Sequence, residues 1–135
     1  SVGHQPDFQS VALEFEALEP SATAWIAPDR LHQVLVNILR NAADAPGTRC
    51  IRVSVESLDE HAVRIRCEDD GEGFEAIALE RAFEPFFTTK DVGEGTGLGL
   101  STCMAVISQA GGTIEISNLP ESGACVQIRL PSSPS

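Results

Sequence analysis

Two asparagines four residues apart, Asn37 and Asn41, have the spacing that places side chains on one face of a helix. The apolar residues around them recur as a buried helical stripe, so Asn41 falls at the edge of that stripe and Asn37 continues a polar stripe beside it. A neutral amide oxygen in this position can hold a hard cation. Mg²⁺ suits such a site because it keeps several waters and takes its other ligands from phosphates. The alternative is a solvated helix face with ordinary asparagines.

An acidic segment that contains two glycines, DDGEG at 69–73, directly follows a strand-like run. Its glycines allow a sharp turn and a close approach to a ligand. A carboxylate at the end of a strand, such as Asp69, can accept a hydrogen bond from an exocyclic amine of the kind that adenine carries. It would repel the carbonyl that guanine has at the same position. The alternative is a plain acidic turn.

A dense glycine-rich segment, GEGTGLGLS at 93–101, leads into a run with helical spacing. Bare backbone amides followed by a helix N-terminus form a cradle for phosphate. The segment lacks the GxxxxGK[ST] pattern, and it does not follow a strand as dinucleotide-binding loops do. The alternative is a flexible loop without a ligand.

An aromatic segment, FEPFFTTK at 83–90, precedes the glycines and holds three of the six phenylalanines of the chain. These rings could anchor one end of a mobile lid, or they could fill the core. Lys90, the only lysine, is either a phosphate contact or a solvated surface charge.

The elements that must position these segments alternate along the chain. Apolar spacing predicts strands at 11–15 and 23–27, and Pro28-Asp29 marks the start of a long helix with Asp29 as its cap. Pro46-Gly47 ends this helix. The remaining predicted elements are strands at 51–55 and 62–67, short and longer helices at 76–82 and 100–110, and strands at 113–117 and 125–130. This order favours an α+β fold, a two-layer sandwich with a mixed sheet of about five strands covered on one face by helices.

The composition fits one globular domain over residues 1–135, with a frayed tail at 131–135. A net charge of −11 excludes binding to nucleic acid or to an anionic membrane through a general positive field. No apolar run approaches the ~20 residues of a membrane span. The four cysteines form no CxxC pair, which indicates reduced thiols in a cytosol rather than disulfides or zinc.

In their order and spacing, these segments resemble the catalytic, ATP-binding domain of bacterial sensor histidine kinases. This is the Bergerat-fold family shared with gyrase, the heat-shock chaperone ATPases and the mismatch-repair ATPases. HQVLVNILRNAADA at 32–45 resembles the N box, 69–73 the first glycine box, 83–87 the F box and GTGLGL at 95–100 the second glycine box. The resemblance covers essentially the whole chain. A short lid after FEPFFTTK looks most like kinases of the nitrogen-regulation and dicarboxylate-sensing type.

The resemblance implies a role for each matching position. Asn41 would be the principal Mg²⁺ ligand with Asn37 in support, and Asp69 would receive the adenine amine. Lys90 would close over the phosphates. The further nucleotide-binding positions would be Gly71 and Gly73 at the base, and Thr88, Thr89, Gly95, Thr96, Gly97, Leu98 and Gly99 at the phosphates.

Two features favour phosphoryl transfer to an external acceptor over hydrolysis. The gyrase-like relatives have a glutamate four residues before the N-box asparagine, where it activates water, whereas this chain has Asn37, whose amide cannot accept that proton. The three histidines, His4, His32 and His61, lack the surroundings of the phosphorylated histidine of the family.

The expected function is therefore to bind Mg·ATP and to donate its γ-phosphoryl group to a histidine on a separate dimerisation domain of the same kinase. A response regulator would act downstream, and the domain would be cytoplasmic, without contact to nucleic acid or membrane. The alternatives are a related ATPase, a serine-directed protein kinase, or a non-catalytic interaction module gated by nucleotide. Residues 68–94 hold nine acids and two bases, so recognition must rely on backbone amides, Lys90 and an obligatory Mg²⁺.

Overall fold

The computed structural model describes residues 11–18, 22–85, 87 and 99–133 of the chain. These residues form five strands and three helices. In chain order they are β1 (Ala12–Ala17), α1 (Pro28–Asp44), β2 (Cys50–Ser57), β3 (Ala62–Asp69), α2 (Ala76–Arg81), α3 (Gly99–Gln109), β4 (Thr113–Asn118) and β5 (Ala124–Pro131). None of the helices in these described ranges is long and apolar enough to cross a membrane.

The five strands form one mixed sheet in the order β1-β2-β3-β5-β4. Strand β1 runs parallel to β2, and the other neighbours pair antiparallel. Side chains of β3 alternate between the two faces, with Ile65 and Cys67 buried and Arg64 and Arg66 partly exposed. One face of the sheet is therefore apolar and the other is charged, as expected for a sheet that is covered on one side only.

The apolar face packs under α1 and α3, which also pack against each other. Helix α1 buries Val34 and Ile38, and α3 buries Cys103, Val106 and Ile107. The α+β two-layer sandwich and its mixed five-stranded sheet are thus confirmed. The packing places the C-terminal half of α1, the N-terminus of α3 and the end of β3 around one space.

Three details of the sequence-based prediction are wrong. Residues 23–27 form no strand; the segment donates one hydrogen bond to the sheet, from Trp25 N to Pro131 O at 2.7 Å at the end of β5. A run this short before a proline has too little length to distinguish a strand from an irregular segment. Helix α1 is not capped by Asp29, because its N-cap is Ala27 and Pro28 occupies the first turn. Pro131 belongs to β5 rather than to a frayed tail.

Candidate active site

Asp69 ends β3 and is the one buried charged residue in the described ranges, with 7% of its surface exposed. Its Oδ1 accepts hydrogen bonds from the backbone N–H of Gly71 at 2.9 Å and of Ala124 at 3.2 Å. Burial raises the pKa of this carboxyl above its usual value, and the two backbone hydrogen bonds offset that rise only in part. Because both bonds go to Oδ1, the second oxygen is available to a ligand.

The neighbouring carboxylate of Asp70 points elsewhere and is exposed. Its Oδ1 accepts the backbone N–H of Arg49 at 2.7 Å and of Cys50 at 2.9 Å. These two hydrogen bonds lower the pKa of Asp70 below its usual value, and the bond from Cys50 has the larger effect. Asp70 therefore ties the glycine-containing turn to the start of β2, while Asp69 serves the space on the other side.

Asp69 and Asn41 line the same cavity, together with Gly73, Phe74, Cys67 and Leu100. Asn41 comes from α1, Asp69 from β3, and Leu100 from the first turn of α3. The cavity measures about 50 Å³. The structure thus brings the predicted amide and the predicted carboxylate to one site.

Asn41 also lies beside the start of α3. A Cβ on Gly99 would stand 3.4 Å from Asn41 Nδ2, so the last glycine of the predicted phosphate segment is in contact distance of the predicted metal ligand. Among the described residues, no group of three histidine, cysteine or acidic side chains could hold a metal ion. An amide that supplies one ligand, with phosphates and water supplying the others, fits Mg²⁺ and would not fit a metal that needs a full protein cage.

Asn37 lies one turn earlier and makes a different contact. Its side chain hydrogen-bonds to the thiol of Cys103 on α3, whose Sγ also donates to Val34 O at 3.8 Å. Burial raises the pKa of that thiol to about 11. Asn37 therefore joins α1 to α3 next to the site, and it does not line the cavity that Asn41 lines.

The glycines of the 69–73 segment are required by close approach. A Cβ on Gly71 would lie 2.5 Å from Thr48 Oγ1, and one on Gly73 would lie 2.8 Å from Asn118 Oδ1. Gly73 also has a φ of +87°, which L side chains rarely adopt. The segment consequently packs against two other loops, and only Gly73 of the two lines the cavity.

Seven of the predicted nucleotide contacts lie outside the described residues. They are Thr88, Thr89, Lys90, Gly95, Thr96, Gly97 and Leu98. The aromatic segment is described only in part: Phe83 packs against the core, and Arg81 stands over the Phe87 ring at 5.3 Å. Arg81 also pairs with Glu84 at 2.9 Å, so this base is engaged within the acidic stretch.

Sequence reasoning predicted the strands on both sides of the turn between β4 and β5 but missed the contacts that this turn makes with the site. Ala124 donates to Asp69, and Asn118 contacts the segment that contains Gly73 through two hydrogen bonds to Phe74. A Cβ on Gly123 would stand 1.9 Å from Asp69 O, so this turn and the acidic turn lie back to back. The only sequence signal was an asparagine at a strand end five residues before a glycine, which ordinary turns also have.

A second and larger cavity of about 630 Å³ lies where α1 begins and α3 ends. Trp25, Val106 and Ala110 line it, and Arg30 is its one charged lining residue. None of the amides or carboxylates described above reaches it. Size therefore does not identify the site in this fold, and the smaller cavity holds the groups that can do chemistry.

This fold and this arrangement of an amide, a buried carboxylate and glycine turns define a class of nucleotide-dependent enzymes. Residues 26–134 match the family model described as histidine kinase-, DNA gyrase B-, and HSP90-like ATPase, and the chain belongs to that family. Within the family, the chain is a domain of the sensor histidine kinase type. The catalytic domain of histidine kinase ThkA superposes with a TM-score of 0.80 and 32% identity, over 93% of this chain and 82% of that one.

Curated relatives include longer sensor proteins. The two-component sensor PprA of Pseudomonas aeruginosa is 40% identical over 89% of this chain and 14% of its own length. The C4-dicarboxylate transport sensor protein DctB of the same organism is 41% identical over 82% of this chain and 19% of its own length. Sensor histidine kinase ZraS of Escherichia coli is 36% identical over 96% of this chain and 28% of its own length. The chain thus spans less than a third of the length of these relatives.

Proposed function

We propose that this chain binds Mg·ATP and donates the γ-phosphoryl group to a histidine on a separate dimerisation domain of the same kinase. The observation that carries the proposal is the meeting of Asn41 and Asp69 in one cavity at the N-terminus of α3. Family membership and the printed names of the relatives support the same reaction. By the same support, a response regulator receives the phosphoryl group afterwards, and the domain acts in the cytoplasm as one unit over residues 1–135.

Asp69 recognises the base in this proposal. Its free oxygen accepts a hydrogen bond from the adenine amine, while Gly71 and Ala124 hold the other oxygen in place. An oxo group at the same position would face a carboxylate and leave it unpaired in a buried site, which discriminates strongly between bases. Gly73 and Phe74 form the adjoining wall.

Asn41 holds Mg²⁺ through its amide oxygen, with Asn37 in support one helical turn away. A bound Mg²⁺ supplies charge neutralisation across the phosphates. Backbone amides at Gly95, Gly97 and Gly99, together with Thr96 and Leu98, bind the phosphates at the N-terminus of α3. Lys90, with Thr88 and Thr89, closes over them, so that the chain orients the γ-phosphorus for in-line attack.

The acceptor comes from outside the described residues. His32 lies nine residues before Asn41 on α1, which is about 14 Å along the helix axis. His61 precedes β3, at the end of that strand opposite to Asp69 and about 25 Å from it. Both are exposed and remote from the cavity. By the resemblance to the gyrase-like relatives, Asn37 stands where those proteins have a glutamate that activates water, and its amide cannot take a proton.

Transfer in trans tests the function. The chain is mixed with ATP labelled at the γ-phosphorus, Mg²⁺ and the histidine-bearing domain of its own kinase, supplied as a separate polypeptide. The expected product is an acid-labile, base-stable phosphohistidine on that domain. A His→Ala variant of the acceptor is the matched control and should remain unlabelled. Steady release of phosphate without the partner would instead favour an ATPase, and base-labile phosphate on serine would favour a serine-directed kinase.

A further inference from the structure

A single side chain at the start of the turn between β4 and β5, that of Asn118, hydrogen-bonds to Phe74, the residue that follows the 69–73 segment. Asn118 Oδ1 accepts the backbone N–H of Phe74 at 2.7 Å, and Asn118 Nδ2 donates to the carbonyl oxygen of Phe74 at 2.9 Å. A primary amide supplies a donor and an acceptor side by side, so it pairs with a peptide group as a neighbouring strand would. Both the position and the orientation of the Phe74 backbone are thereby fixed.

The same turn also holds Asp69. Asn118 and Ala124 are partners in the register of β4 and β5, and Ala124 N–H donates to Asp69 Oδ1. Leu119 N donates to Gly123 O at 2.9 Å and closes the turn between them. One hydrogen-bonded turn therefore contacts both sides of the cavity: the carboxylate through Ala124, and the wall at Phe74 through Asn118.

The contact is tight on both sides. Gly73 has no room for a Cβ next to Asn118 Oδ1, and Gly123 has none next to Asp69 O. A small shift of the turn would therefore be transmitted to Gly73 and Phe74, which line the cavity. A site whose supporting contacts are loose by about 1 Å loses its discrimination even when its reacting groups remain present.

We propose that Asn118 is a positioning residue for base selection, since its paired hydrogen bonds to Phe74 hold the cavity wall at the separation from Asp69 that distinguishes an amino purine from an oxo purine. The inference rests on the proposed nucleotide function. It adds to that function a residue on β4, outside every segment that the sequence pattern assigned to nucleotide binding. Asn118 acts through Phe74 and does not touch the base.

Competition between ATP and inosine triphosphate tests the inference, because the two nucleotides differ at the base substituent that Asp69 would contact. Affinities of both are measured by calorimetry with Mg²⁺ for the unaltered chain, for Asn118→Ala and for Asn118→Asp. We expect the ratio of the two affinities to fall by about tenfold in Asn118→Ala, comparable to one hydrogen bond to a charged group. Asn118→Asp keeps the acceptor for Phe74 N–H and loses the donor, so an intermediate ratio is expected.

Glu115→Ala is the matched control, because Glu115 is an exposed residue three positions earlier on β4 and its side chain is on the opposite face of the strand from that of Asn118. It should keep the full ratio. If Asn118 had a purely structural role, Asn118→Ala would lower the melting temperature or weaken the binding of both nucleotides equally, and the ratio of their affinities would be unchanged. That result would overturn this inference and leave the proposed function standing. If Asn118→Ala does not fold, the ratio in Asn118→Asp decides. Equal affinities in the unaltered chain would overturn the assignment of Asp69 and the role of Asn118 with it.

Discussion

At the scale of the residue, two adjacent carboxylates have opposite environments. Asp69 is buried, and desolvation raises its pKa in spite of two backbone donors. Asp70 is exposed, and its backbone donors lower its pKa. The ionised carboxylate of Asp69 therefore lowers the stability of the fold, whereas that of the neighbouring Asp70 raises it. A costly buried charge persists in a fold where function requires it, which supports the ligand role of Asp69.

Asp69→Asn should separate stability from binding. The pKa of Asp69 is raised on folding, so the folded chain holds this proton more tightly than the unfolded chain does, and stability falls as the pH rises through the folded pKa. Ionised Asp69 therefore costs free energy at neutral pH. The amide oxygen of the variant can still accept from Gly71 and Ala124. We expect an equal or higher melting temperature at pH 7, with that advantage vanishing below about pH 4.

The same variant should bind ATP about 10- to 100-fold more weakly, because it loses a hydrogen bond to a charged group. Calorimetry and thermal unfolding on one sample measure the two effects. Glu72→Gln, an exposed acid of the same segment, is the control and should change neither. A variant that keeps its ATP affinity would contradict the role of Asp69.

Asp70→Ala should act in the opposite way. The variant leaves the N–H groups of Arg49 and Cys50 without their carboxylate, at a cost of about 1 kcal/mol after allowance for exposure. That corresponds to a melting temperature lower by about 3–5 °C at this chain length. The stabilisation by Asp70 is present above about pH 4 and is lost as the pH falls through its lowered pKa, so the difference from the unaltered chain should shrink in acid. The preference for ATP over inosine triphosphate should be unchanged. If Asp70→Ala lost that preference, base recognition would belong to Asp70 and its assignment to Asp69 would be wrong.

At the scale of the element, the contact between α1 and α3 organises the end of the site that holds Asn41 and Gly99. Asn41 faces the cavity next to Gly99, whereas Asn37 bonds to Cys103 inside the helix pair. Two asparagines on one helical face thus reach different neighbours, because α3 covers the turn that holds Asn37. The resemblance assigned both of them to the metal, and the packing gives Asn37 a structural contact as well.

Asn41→Ala and Asn37→Ala should therefore differ. We expect Asn41→Ala to lose the Mg²⁺-dependent part of ATP binding with little change in melting temperature, because its amide lines an open space. Asn37→Ala should lower the melting temperature by a few degrees, since the Cys103 contact between the helices is lost, at about 1 kcal/mol for a buried hydrogen bond. Thermal unfolding and calorimetry with and without Mg²⁺ measure both. An Asn37→Ala variant with unchanged stability would contradict the structural contact.

The same scale shows how far sequence patterns reach. The long periodicity of α1 and the alternation of β2 and β3 predict those elements, because each buries one regular face. The pattern fails at 23–27, where Trp25 makes one hydrogen bond to Pro131 at the end of β5 and the rest of the run has no strand partner. Asn118 was equally hidden: its role depends on Phe74, 44 residues away, and no local period encodes that contact. Short sequence patterns predict candidate site residues that lie within one segment. Which distant turn supports such a segment depends on tertiary packing, which these patterns do not contain.

At the scale of the whole molecule, the net charge of −11 opposes the approach of an anionic ligand. Much of this charge lies in residues 68–94, which contain nine acidic and two basic residues. One of the two basic residues, Arg81, forms an ion pair with Glu84. A general field would therefore repel ATP. Binding must come from short-range contacts that neutralise or satisfy the phosphates, and in the proposed function a divalent cation at Asn41 would do so.

This balance predicts an unusual response to salt. Without Mg²⁺, ATP should bind at least about tenfold more weakly, the equivalent of about 1.4 kcal/mol. Its remaining affinity should rise when NaCl is raised from about 0.05 to 0.5 M, because shorter screening lengths weaken the repulsion between the acidic segment and the phosphates. A site that recruits nucleotide through a positive field would respond in the opposite direction. Calorimetry in EDTA over this salt series measures the sign, and Asn41→Ala should follow the same metal-free curve. A metal-free affinity that falls with salt would show that bases rather than metal and backbone dominate recognition.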